Sequence, residues 1–272
     1  MNGSSSSRRI FITGGASGLG RALAERYSRA GWRVCIGDLD VARCEGTMAA
    51  LANRSQCHAL ACDVTREADL QAAADWLERE WGGVDVLVNN AGVAQAGGIA
   101  DVSLADWQWI IDINLLGVVR GCKVFVPMMR AQKHGHIVSV SSMAGLMHPP
   151  KSSAYSATKA AVVALSEALK VELAGDGIRV SVVCPGFFRT QLAANMRASD
   201  FKAERLTHKL VEGAKFGAEE IAERVFRGVE RGDFHILTHR EESIGWMLKR
   251  FLPFELYLKA MKRQARGGRK RG

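Results

Sequence analysis

A single doubly wound α/β domain is the fold class this sequence predicts, with a mostly parallel seven-stranded sheet and helices on both faces. Three observations carry that expectation. Short Val- and Ile-rich runs alternate with helix-length segments along most of the 272 residues. The short runs are apolar on both sides, as strands covered on both faces must be. Turn and polar residues collect immediately after the short runs, the edge at which such sheets bind ligands.

The strands are expected at residues 9–13, 33–37, 58–62, 84–88, 136–140, 179–183 and 234–237. Helices are expected at 19–30, 41–53, 67–81, 103–132, 156–174 and 219–231. Gly31 and Gly82 stand where two helices should stop. Ser103 with Asp106 resembles a capping box that opens the fourth helix.

Composition narrows the classes. A hydrophobic content of 47% can fill one large core. The apolar stretch 110–119 is broken by Asp112 and Asn114, so no spanning helix is expected. The short polar start (Ser4 to Ser7, then Arg8 and Arg9) does not read as a secretory signal. Of six cysteines, Cys35, Cys62 and Cys184 fall inside apolar runs, and no CxxC pair occurs. Free thiols in a reducing cytoplasm are the expectation. The net charge of +9 sits largely in 262–272, where six basic residues meet no acidic one. The body is nearly balanced, and nucleic-acid binding is not expected.

The chain therefore divides into a flexible start (1–7), a main domain (8–240), an amphipathic extension (241–261) and a basic disordered tail (262–272).

After the first strand comes Thr13-Gly14-Gly15-Ala16-Ser17-Gly18-Leu19-Gly20. Glycines allow a tight turn there, and the following helix offers free amides and a positive dipole end to an anion such as a pyrophosphate. Asp38 ends the second strand, where a carboxylate can accept from both ribose hydroxyls and repel a 2′-phosphate. That selects NAD over NADP. Tyr155 and Lys159 lie four apart on one helix face. A cation about 5 Å away at an effective dielectric of ~20 favours a phenolate by roughly 3 kcal/mol, which would lower the tyrosine toward working pH.

The T-G-x-x-x-G-x-G spacing resembles that of the short-chain dehydrogenase/reductase family. Asn89-Asn90-Ala91-Gly92, Tyr155-x-x-x-Lys159 and Pro185-Gly186 match it in order, so the similarity spans about residues 8–240. The resemblance implies a Rossmann-type fold, an NAD cofactor and hydride transfer to or from an alcohol or ketone. It implies that Tyr155 is the general acid/base, that Ser142, thirteen residues earlier, holds the substrate oxygen in preference to Ser141, and that Lys159 supports the tyrosine and the nicotinamide ribose. Asn114 would bend its helix and place a water beside Lys159. Gly14, Ser17, Gly18, Leu19 and Gly20 would hold the pyrophosphate, and Asp63 and Val64 the adenine. Asn90 and Gly92 would line the adenosine ribose, while Pro185, Gly186, Phe188 and Thr190 cover the nicotinamide end. An NADP-dependent ketone reductase and a non-catalytic dinucleotide sensor are the alternatives on the same scaffold.

His134 and His136 lack metal-ligand spacing, and no metal is expected. Specificity should reside in 93–99, 143–150 and 187–216; His148 and Lys151, between Ser142 and Tyr155, read as a solvated loop, with substrate contact the alternative. Phe187, Phe188, Leu192, Met196 and Phe201 favour an apolar or bulky substrate. Apolar residues on several faces of the fourth and fifth helices (Ile110, Ile111, Leu115, Val118; Ala161, Val162, Leu165, Leu169) suggest a homodimer or homotetramer. Beyond Glu241, an apolar series interleaved with cations, broken by Pro253, reads either as a lid over the pocket or as a peripheral membrane contact.

Overall fold

A computed structural model describes residues 7–193 and 196–259. Residues 1–6 of the expected start 1–7, and all of the expected tail 262–272, lie outside the described residues. The chain forms two compact units, one ending at Thr238 and one beginning at His239.

In the first unit the strands are β1 (Arg9–Thr13), β2 (Arg33–Asp38), β3 (Cys57–Ala61), β4 (Val86–Asn89), β5 (Gln95–Ala96), β6 (Gly135–Val140), β7 (Ile178–Cys184), β8 (Arg197–Ala198) and β9 (His235–Leu237). The helices are α1 (Gly18–Arg29), α2 (Val41–Ala50), α3 (Glu67–Trp81), α4 (Leu104–Ile111), α5 (Gly117–Gln132), α6 (Ala144–Met147), α7 (Ser153–Glu172), α8 (Phe201–Glu212) and α9 (Ala218–Arg231). Seven strands pair in the order β3-β2-β1-β4-β6-β7-β9, every pair parallel. The order reverses between β1 and β4, so a crevice opens past their carboxyl ends.

Alternation along the strands builds two cores. Ile10, Ile12, Val34 and Ile36 face a layer with Leu23 and Tyr27 of α1 and Ile221 and Val225 of α9. Phe11, Cys35, Leu87 and Ile137 face the opposite layer, with Leu77 of α3, Phe125 of α5 and Val162 of α7. The period-two switch from Ile10 to Phe11 to Ile12 is what lets one strand serve both faces. Ser103 caps α4 by accepting from the Asp106 amide at 3.0 Å, as its spacing suggested. All six cysteines are free, five of them buried. Among the described residues, no helix is long and apolar enough to cross a membrane.

Three features depart from the sequence reading. The segment 103–132 is not one helix: a π-helical turn at Asp112–Leu116 separates α4 from α5. The stretch 187–216 holds regular structure, since β8 pairs with β5 and α8 follows it. The fifth predicted helix begins three residues early, at Ser153, which puts Tyr155 in the first turn of α7.

The second unit contains α10 (Arg240–Phe251) and, past Pro253, a further helical stretch at 254–259. Pro253 divides the segment, as expected from its missing amide hydrogen.

Candidate active site

The crevice is built around the turn after β1. Gly14 has φ +66°, and its amide donates to the Gly37 carbonyl at 2.7 Å, folding the turn against β2. A Cβ on Gly20 would collide with the Gly14 carbonyl oxygen, so α1 can start this close only without one. Ser17 is the N-cap of α1 in extended backbone, and its side chain makes no capping hydrogen bond. The amides of the first turn of α1 therefore keep their dipole end for an incoming acceptor.

Asp38, at the end of β2, is half-buried, and its Oδ2 accepts from the Ala16 amide at 2.9 Å. A carboxylate beside an uncapped helix start is the acceptor-donor set that a ribose diol and a pyrophosphate require, so the residues present fit a dinucleotide. Asn90 does something the sequence did not reveal. Its side-chain amide donates to the Thr13 and Gly14 carbonyls at 2.9 and 3.1 Å. Thr13 Oγ1 in turn accepts from the Asn90 and Ala91 amides at 3.0 and 3.1 Å. Asn90 thus holds the glycine turn in shape from the neighbouring strand.

Past β3, Asp63 Oδ1 accepts from the Thr65 amide and hydroxyl at 2.8 and 2.7 Å. Val64 is buried. Its carbonyl accepts from Arg120 Nη1 at 3.2 Å, and the same guanidinium donates to the Asp112 carbonyl at 3.3 Å and to Asp112 Oδ1 at 2.6 Å. Arg120 therefore ties the loop after β3 to the π-helical turn. The motif reading missed this residue, whose position on a mixed helix gives no signal of its own.

The π-helical turn presents Asn114. Its Oδ1 accepts from the Val93 amide at 2.8 Å and its Nδ2 donates to the Val93 carbonyl at 2.9 Å. Asn114 lies inside this π-helical turn, and its side chain fixes the segment just past Gly92, between β4 and β5. A Cβ placed on Gly92 would lie 3.1 Å from Asn114 Oδ1 and 3.3 Å from Lys159 Nζ. Asn114 and Lys159 thus converge on one point.

Adjacent serines after β6 divide the work. Ser141 Oγ donates to the Lys159 carbonyl at 2.7 Å and is spent on anchoring α7. Ser142 Oγ donates to the Pro185 carbonyl at 3.4 Å and accepts from the Ala144 amide at 3.1 Å, and its hydroxyl favours the ionised form of Tyr155. Lys159 is buried, and its Nζ donates to the Val140 carbonyl at 3.0 Å and stands 5.8 Å from the centre of the Tyr155 ring.

The electrostatics correct the sequence expectation for the tyrosine. Burial raises the Tyr155 pKa above its ordinary value, with the Ser142 hydrogen bond acting in the opposite direction. Burial also lowers Lys159 to about 8. Desolvation penalises charge on both groups, and at this separation it outweighs the pull of the cation on the phenol.

After β7, Pro185 is buried and its carbonyl accepts from the Met143 amide at 2.8 Å, joining the two strand ends. Gly186 is half-buried, and Phe188 turns into the core beside α1 and α9. A Cβ on Gly18 would come within 2.8 Å of Thr190 Oγ1, so this loop passes over the start of α1. Leu19, in the first turn of α1, is buried. His148 and Lys151 both have positive φ, and Lys151 pairs with Asp200 at the cap of α8. Neither the ion pair nor the small β5–β8 sheet that it flanks was visible in the motifs.

Comparison with known proteins agrees with this arrangement. The model of the short chain dehydrogenase family matches residues 8–200. The chain belongs to the short-chain dehydrogenase/reductase family. It is similar to a "CLA biosynthesis dehydrogenase/reductase" of Lactiplantibacillus plantarum, 33% identical over 252 residues, covering 85% of this chain and 88% of that one. It is 37% identical over 189 residues to the oxidoreductase UcpA of Escherichia coli, covering 68% and 71% of the two chains. Among solved structures, a short-chain dehydrogenase/reductase from Burkholderia phymatum in complex with NAD superimposes with a TM-score of 0.85 at 32% identity, covering 90% of this chain and 93% of that one. This chain is thus an oxidoreductase of that family, on a Rossmann-type fold.

Proposed function

We propose that this oxidoreductase moves a hydride between NAD(H) and a secondary alcohol or ketone of apolar or bulky character. The observation that carries the reading is the buried Lys159 ammonium held 5.8 Å from the Tyr155 ring, with Ser142 at the end of the neighbouring strand. The two hydroxyls can hold one substrate oxygen between them. Tyr155 gives that oxygen a proton in ketone reduction and takes one in alcohol oxidation, and Ser142 stabilises the charge that develops. Lys159 supplies positive charge from below, and Asn114 keeps residue 93 and the π-helical turn in register with it.

When bound, the nicotinamide ring supplies or accepts the hydride. Gly14, Ser17, Gly18, Leu19 and Gly20 would hold its pyrophosphate, Asp38 the adenosine ribose, and Asp63 and Val64 the adenine. Asn90 and Gly92 would border that ribose, with Lys159 and Tyr155 on the nicotinamide ribose and Pro185, Gly186, Thr190 and the backbone of Phe188 over the ring. The carboxylate of Asp38 favours NAD over NADP by charge, and the NAD complex of the Burkholderia relative supports the same choice. The catalytic region is residues 8–240, working as a homo-oligomer in the cytoplasm.

A panel of secondary alcohols and ketones, followed by absorbance of the reduced cofactor, tests the reading. NAD-linked turnover of at least one member is expected, with Tyr155→Phe abolishing it while NAD affinity stays within about threefold. Tyr155→Phe activity above about one per cent would sink the assignment.

A further inference from the structure

The second unit carries an apolar face that nothing within that unit covers. On α10, Ile244, Met247, Leu248 and Phe251 follow the spacing i, i+3, i+4, i+7 and share one side of the helix. They are 45, 52, 54 and 86% exposed. No residue of α10 is buried. Beyond it Leu252, Phe254 and Leu256 are exposed as well, so large apolar side chains stand in solvent on both sides of Pro253. Side chains of this size are rarely left in water as a contiguous series without a partner.

Charge identifies the partner. From Arg240, where α10 begins, to the end of the chain there are ten basic residues and three acidic residues, Glu241, Glu242 and Glu255. Within the described part, Lys249 stands 5.3 Å from the Tyr257 ring and Arg250 lies 5.3 Å from the Trp246 ring. Both cations thus sit against aromatic rings next to the apolar stripe. Cations and aromatics flanking an apolar helix face are the arrangement that a lipid interface selects, with rings at headgroup depth and ammonium groups among phosphates. A protein partner of ordinary mixed charge would gain nothing from so one-sided an excess.

We propose that α10 and the stretch after Pro253 dock this enzyme on an anionic lipid bilayer, lying in the interface without crossing it. The apolar stripe enters the boundary between headgroups and acyl chains, and the basic residues engage the anionic headgroups. An enzyme held there would meet substrates that partition into lipid.

The full-length protein is mixed with vesicles of phosphatidylcholine alone, or of equal parts phosphatidylcholine and phosphatidylglycerol, and sedimented. Binding to the anionic vesicles at low salt, at least about tenfold tighter than to the neutral ones and weakened by added salt, is expected. Leu248→Asp with Phe251→Asp should reduce it at least about tenfold while leaving Tm unchanged, because both side chains are exposed. If that variant loses Tm, Lys249→Gln with Arg250→Gln carries the test, at about fivefold per cation. Absence of binding to anionic vesicles, equal binding to neutral ones, or full retention by these variants overturns the proposal. So does light scattering in which the Leu248/Phe251 variant halves the particle mass of the protein alone, since a second copy would then be the occupant of the stripe.

Discussion

Lys159 donates its ammonium to the carbonyl oxygen of Val140 at 3.0 Å, where β6 ends. One neutral oxygen replaces only part of the water that burial removes, and the pKa falls from 10.5 to about 8. The lysine remains mostly protonated at pH 7, so the fold keeps a cation inside at a cost to its own stability. Between pH 8 and 10.5 the unfolded chain holds this proton and the folded chain has released it. Stability from this group therefore rises with pH across that window and is flat below it. Lys159→Met should raise the Tm of the cofactor-free protein at pH 7, by a gain on the order of 3 kcal/mol. Turnover should drop at least about a hundredfold. Thermal melts from pH 7 to 10.5 check this, and a lower Tm in the variant would contradict it.

Ser141 and Ser142 should separate stability from chemistry. Ser141→Ala removes the donor to the Lys159 carbonyl and should cost about 1–3 kcal/mol, with turnover within about threefold. Ser142→Ala should leave Tm within about a degree and lower kcat about a hundredfold or more. Parallel melts and steady-state kinetics on the two variants decide it, and the reverse pattern would mean that the serine roles are exchanged.

Most of the sheet could be read from the chain because burial on both faces demands unbroken Val and Ile runs. β1 and α3 have the bounds expected of them, and the other strand ends shift by one or two residues. Motif residues were legible for a related reason: turn and polar side chains must follow strands to reach the crevice. What stayed hidden is tertiary. Arg120 looks like any helical arginine until the loop after β3 is folded against it. The π-helical turn at Asn114 depends on a contact with Val93, 21 positions away. The pairing of β5 with β8 uses two residues on each side, too few to leave a periodic signal. The tyrosine was misjudged because spacing reveals a nearby cation but not the desolvation of both groups.

Arg120 should act at a distance from the chemistry. Its guanidinium links Val64, expected at the adenine, to Asp112 beside Asn114. Arg120→Met should raise KM for NAD several-fold and lower kcat, whereas Arg120→Lys, which can reach only one of the three acceptors, should fall between. A fluorescence titration of NADH binding beside kinetics measures both. Equal loss in the Lys and Met variants would show that the charge alone is irrelevant to the link.

Asp38 has two tasks that substitutions can split. It accepts from the Ala16 amide and, as an anion, disfavours a 2′-phosphate. Asp38→Asn keeps an acceptor for Ala16 while removing charge; Asp38→Ser loses both. Both variants should weaken NAD and improve NADP in kcat/KM, with the Ser variant alone showing a lower Tm. If the unmodified enzyme already prefers NADP, the carboxylate argument is wrong.

The last prediction concerns acid stability and rests on His136. The ring is buried in β6, and its Nε2 lies 2.7 Å from Ser181 Oγ. That hydroxyl spends its proton on the Asp233 carbonyl at 2.6 Å, so Nε2 must be the donor to it. Nδ1 is then a buried acceptor, without a partner among the described residues. Protonating it would place a charge in a site that burial, and then Arg179 and Lys170, make hostile, and the pKa falls from 6.5 to about 3. Below pH 6.5 the unfolded chain takes up a proton that the folded chain refuses. Stability is therefore complete above 6.5 and declines as pH falls toward 3, by at most about 1.4 kcal/mol per pH unit. His136→Gln can still donate to Ser181 but does not titrate. Its Tm should start lower at pH 7, because the packing is imperfect, and then fall less steeply than the parent's between pH 6.5 and 4. Melting curves of the two proteins at half-unit intervals provide the comparison, and parallel slopes would assign the acid lability to the carboxylates instead.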